Sequence, residues 1–197
     1  MAGRSEIVVR FAGEGGQGVV TAAEMLARAA TGVGYHALTF ATFPSQILGG
    51  PTWTQARVSR APISSPGDSV DILVAFNDYA YQEHRSDVRD GGVILLDPSV
   101  TPDPSDTAHR CITVPFDALA KETGEARAAN MVVMGGLSKL INMPLQFFKD
   151  FVSIRFAARE SVVTANHKAL DLGLNHLAAE ESVSDLGSPI KPDYPQS

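Results

Sequence analysis

Six residues near the start of the chain, Gly13-Glu14-Gly15-Gly16-Gln17-Gly18, limit its fold more than any other segment. They follow the apolar run Ile7-Val8-Val9-Arg10-Phe11, which is typical of a buried β-strand. Residues 19–31 then carry small and apolar side chains at helical spacing, and Gly32 and Gly34 stand where that helix should end. The order of strand, glycine turn and helix predicts the first βα unit of a doubly wound sheet.

The same turn is a candidate anion site, but two common nucleotide sites lack their other parts. Glycines let a phosphate approach the bare backbone, and the free N–H groups at a helix start favour negative charge. The second strand, predicted at residues 37–43, holds no carboxylate for the ribose of NAD and no arginine for NADP. Val19-Val20 stand where a P-loop requires Lys and then Ser or Thr.

Composition excludes several classes of protein. The 197 residues suit one domain, with 44% hydrophobic and 19% charged residues, and the net charge of −6 argues against nucleic-acid binding. No membrane insertion is expected because no apolar run approaches about 18 residues. The first residues lack a signal-peptide core, which predicts a cytoplasmic location. The single cysteine, Cys111, cannot hold an iron–sulfur cluster and is predicted to be an inert core thiol, and the five histidines show no metal-ligand spacing.

The remaining pattern predicts an α/β fold. Strands are expected at residues 52–59, 72–76, 93–96 and 111–114, the first of them half-exposed and near a sheet edge. Helices are expected at residues 79–88, 128–141, 144–154 and 160–177. We therefore expect a three-layer sandwich around a mainly parallel sheet, with a helical C-terminal end. Residues 1–180 are predicted to form the domain, and residues 181–197 a polar, extended tail that is either disordered or an arm lying on a partner subunit.

Four loops leave the carboxyl ends of predicted strands, at residues 13–18, 43–51, 77–78 and 97–99. Ligands of such sheets bind at that edge, so the functional surface is expected there. Asn77 or Asp78 is predicted to cap a helix. Asn77 is also a candidate for a residue that faces the ligand-binding edge of the sheet. Asp97, at a strand end, is predicted to cap a turn through Pro98, with a ligand-facing role as the alternative. Ser138 lies within a helical pattern without the second glycine of a nucleophile elbow, and no residue has the setting of a catalytic acid, base or nucleophile.

The form G-x-G-G-Q-G-V at residues 13–19 resembles the opening of the gamma subunit, or gamma domain, of 2-oxoacid:acceptor (ferredoxin-type) oxidoreductases, the pyruvate/ketoacid oxidoreductase family. The resemblance spans residues 6–175. It continues in Phe43-Pro44-Ser45 with Gly49-Gly50-Pro51, in residues 71–77, in Gly91-Gly92-Val93-Ile94, and in Asn130-Met131-Val132 with Gly135.

The resemblance implies a subunit of a larger enzyme. Members of the family oxidatively decarboxylate a 2-oxoacid onto coenzyme A, using thiamine diphosphate, Mg and iron–sulfur clusters that pass electrons to ferredoxin or another acceptor. It implies that these groups reside on partner alpha, beta and iron–sulfur subunits, that the isolated chain is inactive, and that this chain contacts coenzyme A. No catalytic or metal-binding residue is predicted. The candidate cofactor-binding residues are Gly13, Glu14, Gly15, Gly16, Gln17, Gly18, Thr42, Pro44, Ser45, Gly49, Gly50 and Asn77.

One departure bears on the substrate. Many members carry an acidic residue and then Arg or Lys just before the Gly-Gly pair, where this chain has Gln46 and Leu48. The missing cation favours an apolar or aromatic 2-oxoacid, such as phenylglyoxylate or indolepyruvate, over 2-oxoglutarate. Two other functions stay open: an independent NAD(P)-dependent oxidoreductase, and a coenzyme A- or nucleotide-binding regulatory module with no catalytic partner.

Overall fold

A six-stranded sheet in the order β2-β3-β1-β4-β5-β6 forms the centre of the protein. The computed structural model of the chain describes residues 6–42 and 50–177. Neighbouring strands run parallel from β1 through β4 and β5 to β6, while β3 runs antiparallel to both of its neighbours. The predicted mainly parallel sheet is therefore confirmed. Its strands are β1 (Glu6–Glu14), β2 (His36–Thr42), β3 (Pro51–Ser59), β4 (Val70–Ala75), β5 (Val88–Leu96) and β6 (Arg110–Thr113).

Helices cover the two faces of the sheet unequally. Five helices pack on the face that carries Val9 and Phe11 of β1, which we call the helix face. Of the helices in the described ranges, α2 alone packs on the opposite face, which carries Arg10 and Ala12 of β1 and which we call the α2 face. The sandwich has three layers as predicted, with a thin third layer. The helices are α1 (Val19–Gly32), α2 (Asp78–His84), α3 (Phe116–Glu122), α4 (Ala129–Leu140), α5 (Leu145–Arg155) and α6 (Glu160–His176).

The helix face buries the main core. Every residue of β4 is buried, as the continuous apolar run predicts for a central parallel strand covered on both sides. The helices α4 and α6 cross at backbone contact: a Cβ atom on Gly135 would overlap Leu170 O, and one on Gly173 would overlap Val132 O. Glycine is required at both positions because two helix backbones can approach so closely only without side chains between them.

Three predictions need correction. The strand at residues 52–59 is not half-exposed, because Gln55 is 3% exposed and donates through Nε2 to the backbone oxygens of Pro66 and Gly67. The helix predicted at residues 79–88 ends at His84, followed by a 3₁₀ turn (Arg85–Asp87), since Val88 already belongs to β5. The helix α3 was not predicted, since its seven residues are too few for a clear helical period.

The later helices follow the predicted spans within a few residues. Ser138 is buried inside α4 and donates to Gly135 O at 2.8 Å, which is a packing role. Among the described residues, no helix has the length and apolar character needed to cross a membrane. The same part of the chain contains no group of three or more His, Cys, Asp or Glu side chains arranged for a metal ion. The predicted tail, residues 181–197, lies outside the described residues, so the domain boundary stays a prediction.

Candidate functional site

The side chain of Gln17 closes the glycine turn. The Gln17 N–H donates to Glu14 O at 3.2 Å, and the Glu14 N–H donates to Gln17 Oε1 at 2.7 Å. The same Oε1 atom occupies the space where a Cβ on Gly13 would stand. Gly16 has a φ of 99°, which lies in the region that favours glycine. Gly13, Gly16 and Gln17 are thus needed to build the turn, whatever it binds.

Gly18 joins the turn to two helices. It caps the start of α1 in the left-handed conformation, with a φ of 79°, and its carbonyl accepts the Ala22 N–H at 2.9 Å. Asn130 of α4 donates through Nδ2 to the same carbonyl at 3.5 Å. A Cβ on Gly18 would overlap the Asn130 side chain, so the close approach of α4 requires glycine here as well as the turn conformation.

Much of the turn's hydrogen-bonding capacity is already used. Besides the Glu14 and Gln17 N–H groups, the Gly15 N–H donates to Gly50 O at 3.3 Å. Within residues 6–42 and 50–177, the N–H groups of Gly16 and Gly18 have no acceptor, and the first turn of α1 has none inside the helix. Among the described residues of the turn, the N–H groups left to bind an anion are therefore at the start of α1.

The strand ends meet at this edge as expected. Asn77 accepts the Ala80 N–H at 2.9 Å, which confirms its helix cap, and its Nδ2 lies 3.4 Å from Glu14 Oε1. Asp97 accepts the Ser99 N–H at 3.0 Å, which confirms the turn role. Thr42 O accepts the Thr52 hydroxyl at 2.9 Å, so β2 and β3 are joined beside the turn. Of the other site and substrate candidates, Pro44, Ser45, Gly49, Gln46 and Leu48 lie outside the described residues.

A cleft of about 300 Å³ opens beside the turn, between the start of β3 and α2; we call it the sheet-edge cleft. It holds two predicted site residues and several that the sequence did not suggest. Among these described lining residues there is no lysine or arginine, and Glu83 contributes a carboxylate. The lining consists of Gly13, Thr42, Pro51, Thr52, Trp53, Tyr79, Ala80, Glu83 and His84.

A buried arginine contacts two of the residues that line this cleft. Arg10 is 8% exposed, donates through Nε and Nη2 to Gln55 Oε1 at 3.1 and 2.9 Å, and is paired with Asp87. Its Cζ atom lies 4.4 Å from the centroid of the Trp53 ring, and its Nη1 lies 3.3 Å from His84 Nδ1. Burial, and then the Arg10 charge, lower the pKa of His84, so the imidazole is neutral near pH 7.

The sequence analysis missed this network. A single arginine inside the apolar run Ile7-Val8-Val9-Arg10-Phe11 was the available signal, because a charge there must find partners. His84, 74 residues further on, comes beside Arg10 only because α2 packs across β1. That proximity is set by topology, and no local pattern in the sequence indicates it.

The strand order also bears on dinucleotide binding. β3 lies between β1 and β2, so the chain's second strand is not next to the strand that enters the glycine turn. In a dinucleotide site those two strands are neighbours, and the acidic residue of the second holds the ribose. The antiparallel β3 therefore occupies that position, which argues against NAD(P) at this turn in addition to the missing carboxylate.

Comparison with known proteins identifies the family. Residues 8–176, nearly all of the described chain, match the pyruvate ferredoxin/flavodoxin oxidoreductase family. The chain belongs to this family. Ketoisovalerate oxidoreductase subunit VorA of Methanothermobacter marburgensis is 33% identical over 171 residues, which cover 85% of this family member and 36% of VorA. The 2-oxoglutarate synthase subunit KorC of Methanocaldococcus jannaschii is 30% identical over 68% of this chain and 75% of KorC.

Two solved structures share the fold. The 2-oxoglutarate:ferredoxin oxidoreductase of Magnetococcus marinus, with 2-oxoglutarate, coenzyme A and succinyl-CoA bound, matches with a TM-score of 0.84 and 30% identity, covering 98% of this chain and 34% of that one. A keto/oxoacid ferredoxin oxidoreductase gamma subunit of Geobacter sulfurreducens matches with a TM-score of 0.77 and 24% identity, covering 87% and 96%. This family member thus spans about a third of some relatives and nearly all of a gamma subunit.

Proposed function

We propose that this chain is the gamma subunit of a thiamine diphosphate-dependent 2-oxoacid:ferredoxin oxidoreductase. The family match over residues 8–176 carries the proposal. In the proposed reaction the 2-oxoacid loses carbon dioxide, its acyl group is joined to the coenzyme A thiol, and two electrons pass to the acceptor. A cytoplasmic location stays a prediction of the sequence.

The redox chemistry is assigned to partner alpha, beta and iron–sulfur subunits. Thiamine diphosphate with Mg supplies the decarboxylation chemistry, and the clusters carry the electrons. Cys111 is the only cysteine and cannot ligate a cluster by itself. Cys111 is half-buried in β6 and not a core residue as predicted; burial, and then the charge of Asp106, raise the pKa of its thiol, which disfavours the thiolate form. The role left for this chain is to bind and position coenzyme A.

The sheet edge suits part of coenzyme A better than the whole. The free N–H groups at the start of α1 fit a single phosphate group. The sheet-edge cleft does not fit a diphosphate, because its described lining has no lysine or arginine and includes Glu83. An uncharged arm fits there, next to Trp53 and Tyr79. We therefore assign Gly16, Gly18 and the start of α1 to phosphate, and the cleft to the uncharged part of coenzyme A.

The substrate is proposed to be an apolar or aromatic 2-oxoacid, such as phenylglyoxylate or indolepyruvate. A second carboxylate needs a cation, and positions 46 and 48 hold glutamine and leucine instead. The relatives are named for both kinds of substrate: VorA for the apolar ketoisovalerate, and KorC and the Magnetococcus enzyme for 2-oxoglutarate. To test it, turnover of the assembled complex is compared with phenylglyoxylate, indolepyruvate, ketoisovalerate, pyruvate and 2-oxoglutarate. A clear preference for 2-oxoglutarate overturns the substrate proposal.

The subunit proposal is tested by purifying the chain from its source together with whatever accompanies it. We expect brown, thiamine-containing partners and acyl-CoA formation that requires both the 2-oxoacid and coenzyme A. The chain alone should show no turnover. A colourless lone chain that binds NAD(H) tightly contradicts the proposal and supports the independent oxidoreductase; a lone chain that binds only coenzyme A supports the regulatory module.

A further inference from the structure

His84 lines the sheet-edge cleft, and within residues 6–42 and 50–177 its imidazole has a hydrogen-bond neighbour only at Nδ1. We propose that His84, with its proton held on Nε2 by Arg10, donates to a carbonyl oxygen of an uncharged, amide-bearing ligand arm lying in the cleft beside Trp53. The inference rests on the proposed function, because the pantetheine part of coenzyme A is the amide-bearing arm of that reaction.

Arg10 determines which nitrogen of His84 carries the proton. A guanidinium group can only donate, so His84 Nδ1, at 3.3 Å from Arg10 Nη1, must accept. The proton of the neutral imidazole is then on Nε2. Asp87 lies 3.8 Å from the same Nδ1 and is itself paired with Arg10. The ring is held at this edge, since the His84 side chain is only 12% exposed.

The Nε2–H group is the positioned donor that the cleft leaves open. No acceptor for it exists in the described part of the chain, where His84 bonds only through Nδ1. The other hydroxyl donors of the lining are engaged, since Thr52 donates to Thr42 O at 2.9 Å and Thr42 donates to Trp53 O at 3.4 Å. Tyr79 is 55% exposed and is free to turn towards water.

The charges around the cleft select a neutral acceptor. Glu83 lines the cleft, and its described lining has no lysine or arginine, so a ligand carboxylate or phosphate would face an acidic group without a cation to offset it. Arg10 and Asp87 form an ion pair next to His84, so their charges largely cancel and Glu83 sets the charge of the lining. A neutral imidazole binds a carbonyl by hydrogen bonding without adding a charge.

The indole of Trp53 provides the flat apolar wall for such an arm. Its ring lies edge-on to His84, with centroids 5.8 Å apart and an interplanar angle of 67°, and its packing is completed by Arg10 at 4.4 Å and Phe40 at 5.6 Å. An arm in the cleft therefore meets an aromatic surface beside the Nε2–H group of His84. Planar amides suit this combination, since they pair an acceptor oxygen with an apolar chain.

The first test measures KM for coenzyme A in the assembled complex. His84→Phe removes the donor and keeps the ring, and we expect KM for coenzyme A to rise about tenfold, the effect of one lost hydrogen bond, while KM for the 2-oxoacid changes little. His84→Gln places an N–H near the original Nε2 and should restore most of the affinity. His176→Phe, at the exposed end of α6, is the matched control and should resemble the unaltered complex. Equal effects of His84→Phe and His84→Gln, or no effect of His84→Phe, overturn the inference.

The second test does not depend on turnover. In the full chain labelled with ¹⁵N-histidine, the His84 resonances at pH 7 should be those of a neutral ring protonated at Nε2, and added pantetheine should shift the Nε2–H proton. A proton on Nδ1, or no response to pantetheine, overturns the inference. If the unaltered complex forms no acyl-CoA but pantetheine still shifts this resonance, the proposed function fails and the binding site stands.

Discussion

The two faces of the central sheet differ in how completely helices cover them and in whether they carry apolar or polar residues. On the helix face, five helices bury a continuous apolar core that includes Phe11 and Phe148. On the α2 face, a seven-residue helix covers only part of the sheet, and Arg10 is held by polar partners beneath an open cleft. The difference indicates that stability comes mainly from the helix face, which leaves the α2 face able to carry charged and aromatic groups for binding.

The largest effect should come from the same substitution made on each face. Phe148 is fully buried in α5, and Phe148→Ala should lower the free energy of unfolding by about 4 kcal/mol, because it leaves a cavity in the main core. Phe40 of β2, on the α2 face, is 46% exposed, and Phe40→Ala should cost less than about 1 kcal/mol. Urea unfolding of the full chain measures both, and equal losses would show that the α2 face is a second core.

The second prediction tests how the helix face is packed. Gly135→Ala should destabilise the chain by about 3 kcal/mol, because the new methyl group overlaps Leu170 O and α6 has to move. Gly136 is the neighbouring control: a Cβ there would lie 3.4 Å from Leu177 Cδ1, an ordinary contact. Gly136→Ala should be neutral or stabilising by up to about 1 kcal/mol, since alanine favours a helix. Equal thermal stability of the two variants would contradict the backbone contact between α4 and α6 at Gly135.

On the α2 face, Arg10→Met should cost about 2 kcal/mol, because it leaves Gln55 and Asp87 without their partner while Asp87 regains water. Trp53 is the only tryptophan, so its fluorescence should report the same change directly. Arg85→Met removes an arginine paired with Asp103 on the surface and should have little effect. If the fluorescence spectrum of Trp53 is unchanged in Arg10→Met, the contacts of Arg10 do not determine the environment of Trp53 in the cleft.

The smallest expected effect is at the sheet edge itself. Asn77→Ala should lower stability by about 1 kcal/mol because α2 loses its cap. Asn77→Asp keeps an acceptor for the Ala80 N–H but places a second carboxylate near Glu14. It should keep the cap while weakening binding of an anion at the turn. Thermal unfolding and coenzyme A affinity, measured on both variants, separate the capping role from the edge-facing role.

Sequence patterns predicted the regular parts of the protein because those parts depend on local spacing. The apolar run of β4 and the helical period of α1 each show their burial within a few residues. β3 was misjudged because its alternation is polar and apolar, whereas Gln55 is buried by the carbonyl groups of a neighbouring loop. α3 was missed because seven residues span only two helical turns.

The residues of the site also fall into those that local patterns indicate and those that only packing brings together. Gly13, Gly18 and Asn77 were identifiable because turns and caps have residue requirements of their own. Trp53 and His84 were not, since they line the cleft only through the packing of β3 and α2.

The sequence by itself determined the family, the α/β class and the glycine turn, because each of these is written in consecutive residues. Only the tertiary structure decided that the Gly15 N–H is bonded to Gly50 O and that Arg10 lies beside His84. Both results depend on contacts between residues far apart in the chain. A hydrogen bond needs its two atoms within about 3 Å, and folding alone brings such atoms together.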